Sequence, residues 1–382
     1  MCSSDLLLEP LGYRIVLLTG SLEPDRKRDI RRHILQGHAS LVIGTHALIE
    51  EKVEFQNLGL AVVDEQHRFG VLQRFRLMKK PNQVEPDVLV MTATPIPRTL
   101  ALTLYGDLDV SILDELPPGR TPIITRRVSD ERAAEVWEFV RKQVEAGHQV
   151  YVVYPVIEGS SDEEQQLQPT ENGAKTKSSG LKAAIQMYDE LRKKILPDLK
   201  IGLLHGRMSA DEKELTMQQF QLGDIQVLVS TTVIEVGVDV PNATLMVVEH
   251  AERFGLAQLH QLRGRIGRGA ARSYCVLMTG GKISPEGEER LRAMVRTQDG
   301  FEIAELDLQL RGPGEFFGTR QAGMPGFRVA NLLRDRKILE MAKHEAARLV
   351  AGDTEVTKNE VDTVMDHLRA HWQRRYGLVE VG

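Results

Sequence analysis

Cysteine is scarce in this sequence: Cys2 and Cys275 are the only two in 382 residues. So small a number excludes a disulfide scaffold and implies a reducing compartment. No C-x-x-C pair and no H-E-x-x-H occurs, so a zinc site finds no ligands of recognisable spacing. No apolar run approaches membrane-spanning length, and the amino terminus lacks the basic start and apolar stretch of a secretory leader. A cytoplasmic protein with no membrane partner is expected. Positive charge is not in excess either: 49 Lys and Arg face 54 Asp and Glu, for a net charge of −5. That excludes a globally basic nucleic-acid binder but leaves room for a local positive stripe.

What remains is an ordinary globular composition, 42% hydrophobic and 27% charged, with length for two or three domains that each bury a core. Short apolar runs at residues 14–19, 41–43, 58–63 and 88–91 read as strands, and the charged segment 24–36 as a helix with Pro24 at its start and Gly37 past its end. A helix through Arg98 and Leu104 follows. Periodicity stops at residues 114–119, where paired prolines and a glycine mark a linker. A second series then begins. A helix over 130–145 carries Ala133, Val136, Trp137, Val140 and Val144 on one face, and strands follow at 149–154, 201–204, 227–230 and 243–248. Ser209 and Glu212 form a capping box, and Cys275 sits in an apolar run that reads as core. The polar stretch 158–180 reads as a surface loop, and beyond 282 charged helices replace the sheet pattern, interrupted by the Gly-rich segment 311–326. Strand, turn and helix at this spacing give an α/β protein with a helical tail.

The apolar run at 58–63 reads as a strand buried on both faces, and it ends on Asp64-Glu65-Gln66-His67. Ligands of open α/β sheets gather beyond the carboxyl ends of strands. There Asp64 suits Mg²⁺ held through water, and Glu65 suits orienting or deprotonating an attacking water. Such a pair also caps ordinary turns, and alone it does not decide between the two.

The second constellation is Gln261-Leu262-Arg263-Gly264-Arg265-Ile266-Gly267-Arg268, with Arg272 beyond. Four arginines spaced with two glycines suit a γ-phosphate clamp, since guanidinium groups contact phosphate oxygens in planar, multidentate fashion. A solvated basic helix is the alternative. Between the two constellations, residues 231–239 place a hydroxyl-rich turn after a buried strand.

Together, Asp64-Glu65-Gln66-His67, Thr92-Ala93-Thr94, the 231–239 run and Gln261 to Arg268 resemble motifs II, III, V and VI of superfamily 2 helicases, in order and across two lobes. Thr92-Ala93-Thr94-Pro95-Ile96-Pro97-Arg98-Thr99-Leu100, the Gln261 run, and Leu310-Arg311-Gly312-Pro313-Gly314-Glu315 with Gly318-Thr319-Arg320-Gln321 resemble the RecG family of bacterial branched-DNA translocases. The transcription-repair coupling factors share the lobes and tail motif, but usually carry Glu where Gln66 stands, and Tyr105-Gly106-Asp107-Leu108-Asp109 is also nearer RecG.

The resemblance implies two RecA-like parallel-sheet lobes, the first truncated, then a mainly helical tail, over 1–113, 114–280 and 281–382. It implies ATP between the lobes, with Asp64 and Glu65 serving Mg²⁺ through water and His67 coupling the site to the second lobe. Gln261, Arg265 and Arg268 would meet the γ-phosphate, with Gly237 and Asp239 supporting nucleotide contacts. DNA would be held by its backbone around Ser21, Thr45, His46, His205-Gly206-Arg207, Thr231 and Thr232, where small hydroxyls and single cations suffice. Thr92, Thr94 and Arg98 join the DNA or coupling set, and in the tail segment 301–327 Arg311, Arg320 and Gln321 would transmit lobe closure to duplex DNA. His46 and His205, taken singly, fit a structural part as well as a ligating one. A monomer on forked DNA in the bacterial cytoplasm, with the nucleoid, is expected; a single-stranded-DNA-binding protein is a candidate further partner.

One departure stands out. The P-loop G-x-x-x-x-G-K-[S/T] does not occur; the only Gly-Lys is Gly281-Lys282, with Ile283 next and Val276 where the first glycine belongs. A carboxyl-terminal part of the family's chain, begun inside the first lobe and without its wedge domain, is expected. A coupling-factor motor and a catalytically silent DNA-binding module are the alternatives.

Overall fold

A computed structural model of the chain describes residues 9–20, 22–50, 52–64, 86–92, 109–113, 115, 120–155, 179–231, 239–311, 335–351 and 357–376. The chain divides into two compact units, Met1–Thr94 and Pro95–Gly382.

In the first unit, β1 (Ile15–Leu18) pairs in parallel with β2 (Leu41–Gly44), and α1 (Pro24–Leu35) connects them. Pro24 and Asp25 open the helix, Arg32 and His33 lie in its last turn, and Gly37 turns the chain away at φ +66°. Ile30 and Ile34 pack with Leu18, Ala47 and Val53. Gly44 lies so close to the carbonyl oxygen of Leu18 and the side chain of Leu48 that no Cβ fits there. A second parallel pair joins β3 (Leu60–Val63) to β4 (Asp87–Val90). β3 is not buried on both faces as its composition suggests. Ala61 and Val63 face inward, whereas Leu60 and Val62 are 58% and 53% exposed, because among the described residues one face of the two-stranded pair is uncovered.

Among the described residues the second unit is built on six parallel strands in the order β5-β10-β9-β6-β8-β7. They are β5 (Ile124–Ser129), β6 (Gln149–Val153), β7 (Ile201–Leu204), β8 (Val227–Ser230), β9 (Ala243–Val248) and β10 (Tyr274–Thr279). Among its helices are α2 (Ala133–Glu145), α3 (Ser179–Glu190), α4 (Ala210–Gln221) and α5 (Leu256–Arg263). Both faces of the sheet carry a core. Along β6, Val150 and Val152 join Val136, Trp137 and Val140 of α2, while Tyr151 and Val153 join Phe220 of α4 and Leu259 of α5. That alternation is the two-residue period of a strand, and burial on both faces explains the unbroken apolar runs. Cys275 is fully buried, and burial pushes its thiol up to about 12, as befits a core residue.

Two features differ from the sequence reading. β5 is a strand despite Arg126 and Arg127, because among the described residues it lies at the sheet's edge and pairs with one neighbour, β10. Residues 179 and 180, assigned to the polar loop, begin α3; residues 156–178 lie outside the described residues. The tail is helical where it is described: α6 (Pro285–Arg296), α7 (Gly300–Arg311), α8 (Arg336–Ala351) and α9 (Lys358–Tyr376). Among the described residues no helix is long and apolar enough to cross a membrane.

Candidate active site

The first unit offers two strand ends. Met91 N–H donates to Val63 O at 2.8 Å, so the residues just beyond β3 and β4 meet at one carboxyl edge. Asp64, exposed, and Thr92, half-buried, are those residues. Their hard oxygen donors fit a magnesium ion held through its water shell. Glu65, His67, Thr94 and Arg98 lie outside the described residues. Among the described residues no group of three His, Cys, Asp or Glu could hold a metal. At the β1–β2 edge, Thr45 N–H donates to Leu18 O at 3.4 Å, and Lys27 Nζ to Gly20 O at 2.6 Å. Thr45 and His46 are exposed there; Ser21 lies outside the described residues.

In the second unit the candidates fall on opposite edges of the sheet. At the carboxyl edge, β7, β8, β6 and β9 lie side by side. Arg207 is exposed beyond β7, in a turn where Lys213 Nζ donates to Gly206 O at 3.0 Å. Thr231 follows β8, is 2% exposed, and donates its N–H to Leu204 O at 3.2 Å. Its Oγ1 is buried with no hydrogen-bond partner among the described residues. Thr232 and Gly237 lie outside them. Beside this edge sits Glu249, a group the sequence reading missed; its signal is a glutamate closing the apolar run of β9. It is 6% exposed and accepts from Tyr154 Oη at 3.5 Å. Burial, then the nearby Asp130 carboxylate, pushes its carboxyl up to about 7.

The arginine run lies at the other end. After β9 the chain turns at His250, φ +50°, and α5 runs back toward the amino ends of the strands. Gly267 adopts φ +73°, and a Cβ there would sit 2.9 Å from Ile123, the residue before β5; Gly269 packs on the backbone of Pro241, just ahead of β9. Here Arg268 Nη1 stands 3.5 Å from Asp239 Oδ1, and Arg268 Nε donates to Gly264 O at 3.4 Å. Two predicted residues, 29 positions apart, are thus in contact. Gln261 and Arg265 are half-buried nearby. The Tyr151 phenol, pushed up to about 12 mainly by burial, feels Arg265 and Arg268 pulling the other way.

Arg263 does not share this position. It is 3% exposed and bonded to backbone carbonyls, so the four arginines do not form one clamp; Arg272 is exposed. A residue two places earlier on a helix points elsewhere than one in the following loop, which spacing alone does not reveal. Arg311 ends α7, while Arg320 and Gln321 lie outside the described residues.

Residues 5–103 match the DEAD/DEAH box helicase family, 135–270 the helicase conserved C-terminal domain, and 297–375 the ATP-dependent DNA helicase RecG, domain 3, C-terminal family. The ATP-dependent DNA helicase RecG of Synechocystis is 51% identical over 339 residues, covering 89% of this chain and 38% of the relative. That of Bacillus subtilis is 45% identical over 362 residues, covering 95% of this chain and 50% of the relative. Among solved structures, RecG bound to a three-way DNA junction matches with a TM-score of 0.63 and 45% identity, over 88% of this chain and 41% of that one. The chain therefore spans about two-fifths to one half of the length of these relatives.

Proposed function

Because this chain is a homologue of the RecG-type ATP-dependent DNA helicases, we propose that it is motor machinery of an ATP-driven translocase that remodels branched DNA in recombination and repair. The observation that supports this above all is identity of 45–51% along about nine-tenths of the chain to proteins of that one name. The proposed divisions are 1–113 and 114–280 for the lobes and 281–382 for the helical region.

ATP would supply the phosphoryl group, with Mg²⁺ neutralising its charge. Asp64 and Glu65 would hold the ion's water shell and orient the attacking water, with His67 as the coupling residue. Gln261, Arg265 and Arg268 would meet the γ-phosphate, where an arginine can raise phosphoryl transfer by about 10³–10⁵. Asp239 holds the Arg268 guanidinium meanwhile, and Gly237 gives the backbone room at the nucleotide. Ser21, Thr45, His46, Arg207, Thr231 and Thr232 track the DNA backbone. Thr92, Thr94, Arg98, Arg311, Arg320 and Gln321 couple the chemistry to movement. The protein acts as a monomer at the bacterial nucleoid, with single-stranded-DNA-binding protein as a further partner.

The test is a chimera in which this chain replaces the matching half of the Bacillus subtilis relative. Fork-stimulated ATP hydrolysis and fork unwinding are expected; hydrolysis that ignores DNA sinks the reading. The missing P-loop favours a second reading for the chain by itself, a DNA-binding module without turnover, since neither the loop amides nor its lysine are there to hold the β- and γ-phosphates. Alone, the chain should bind forked DNA and hydrolyse ATP at background. DNA-stimulated turnover at the chimera's rate would overturn that.

A further inference from the structure

Arg263 lies within the arginine run yet takes no part in the phosphate reading. Its guanidinium, at the end of α5, donates from Nη1 to Met294 O at 3.0 Å and to Thr297 O at 2.9 Å, and from Nη2 to His260 Nδ1 at 3.2 Å. Met294 lies in the last turn of α6 and Thr297 is its C-cap, so these carbonyls have no helical N–H to receive. A buried cation at the negative end of a helix, with its donors spent on orphan carbonyls, is the arrangement in which burying a charge is repaid. Burial and the adjacent guanidinium pull His260 down to about 4, so its Nδ1 is free to accept.

The same corner is held a second time. Gln298 bonds the backbone of Ile123 twice, accepting from its N–H at 3.1 Å and donating to its carbonyl at 3.0 Å. Ile123 is the residue on which Gly267 packs. The arginine loop is therefore tied to residues 297–298 at both ends, from α5 through Arg263 and from Gly267 through Ile123. Beyond the corner, Asp299 Oδ1 accepts from Phe301 N–H at 2.8 Å and starts α7, which packs on α5.

We propose that Arg263 is a positioning residue that registers the loop carrying Arg265 and Arg268 against the α6–α7 corner, so that displacement of that loop is passed to α7. The proposal rests on the translocase reading above. A lysine keeps the charge and reaches one carbonyl, whereas a methionine fills the space and caps neither.

Two measurements test it. In this chain, Arg263→Met should raise hydrogen exchange at residues 297–303 at least tenfold while leaving β6 and β8 unchanged, and Arg263→Lys should recover part of the protection. Unchanged exchange at the corner overturns the proposal. In the chimera, Arg263→Met should retain at least half of the fork-stimulated hydrolysis but unwind at least tenfold less per ATP, with Arg263→Lys regaining threefold or more. A purely structural arginine would lower both activities together, and a proportional loss, or no loss, overturns the coupling role. A wild-type chimera without fork-stimulated hydrolysis refutes the translocase reading instead, and the exchange result then decides the placement of Arg263.

Discussion

Glu249 and His260 depart from their ordinary ionisation in opposite directions, about 7 against 4.5 for the carboxyl and about 4 against 6.5 for the imidazole. The folded protein thus holds the Glu249 proton more tightly than the unfolded chain. That stability is complete below pH 4.5 and is lost as pH rises through 7. The buried His260 works the other way, costing stability as pH falls from 6.5 through 4. Between 4.5 and 6.5 the two slopes oppose each other; above 6.5 only Glu249 acts, and stability should fall. At ~1.4 kcal/mol per unit the carboxyl's effect is on the order of 3 kcal/mol. Glu249→Gln should flatten urea midpoints between pH 6.5 and 8; a mutant that keeps the wild-type slope there would show that another group carries it. Arg268→Ala, in the chimera, should reduce turnover by two orders of magnitude or more with little change in DNA affinity, read from hydrolysis and fork-binding titrations. The sequence could rank neither Arg263 against Arg268 nor Glu249 at all. Which arginine faces inward depends on where α5 ends, and Glu249 gains its interest only from Asp130 and Tyr154, which lie far away in the chain.

Helix ends were the most legible elements. Ser209 and Glu212 form the capping box that their spacing announces, with Glu212 N–H donating to Ser209 Oγ at 3.2 Å and Ser209 N–H to Glu212 Oε2 at 2.8 Å. Gly37, Gly147 and Gly223 close their helices with positive φ. These signals are local, so a single sequence contains them. Ser209→Ala should lower the stability of the second unit by about 1 kcal/mol in denaturant titration, and no change would mean that α4 is held by packing alone. β5 was illegible for the converse reason. Its Arg127 is drawn to Glu288 of α6 at 2.6 Å, and its place at the edge frees it from the apolar run that marks β6, β8 and β9. β3 misled because its run suits a doubly covered strand, while only alternate residues are covered.

At the scale of the whole chain, alternating strands and helices were enough to foresee parallel sheets and a helical tail, since burial on both faces imposes that pattern. The two units differ in how well they cover themselves. The first exposes Leu17, Leu60, Val62, Leu89 and Met91, whereas the second buries every residue of β8 and β9. Exposed apolar strand faces invite association. Limited proteolysis should therefore cut within residues 9–92 before the sheet residues 201–230 and 239–279, and survival of the first unit after digestion of those would contradict this ordering.

The pairing of β5 with β10 has a consequence for how the protein is made. Ile124 lies opposite Tyr274, so β5, the first strand among the described residues of the second unit, finds its one described neighbour about 150 residues later. At about 5–20 residues per second that interval lasts roughly 8–30 s, during which β5 has an open ladder on both sides. Its two arginines, which hid it from the sequence reading, keep the waiting strand charged and poorly suited to pairing with another nascent chain.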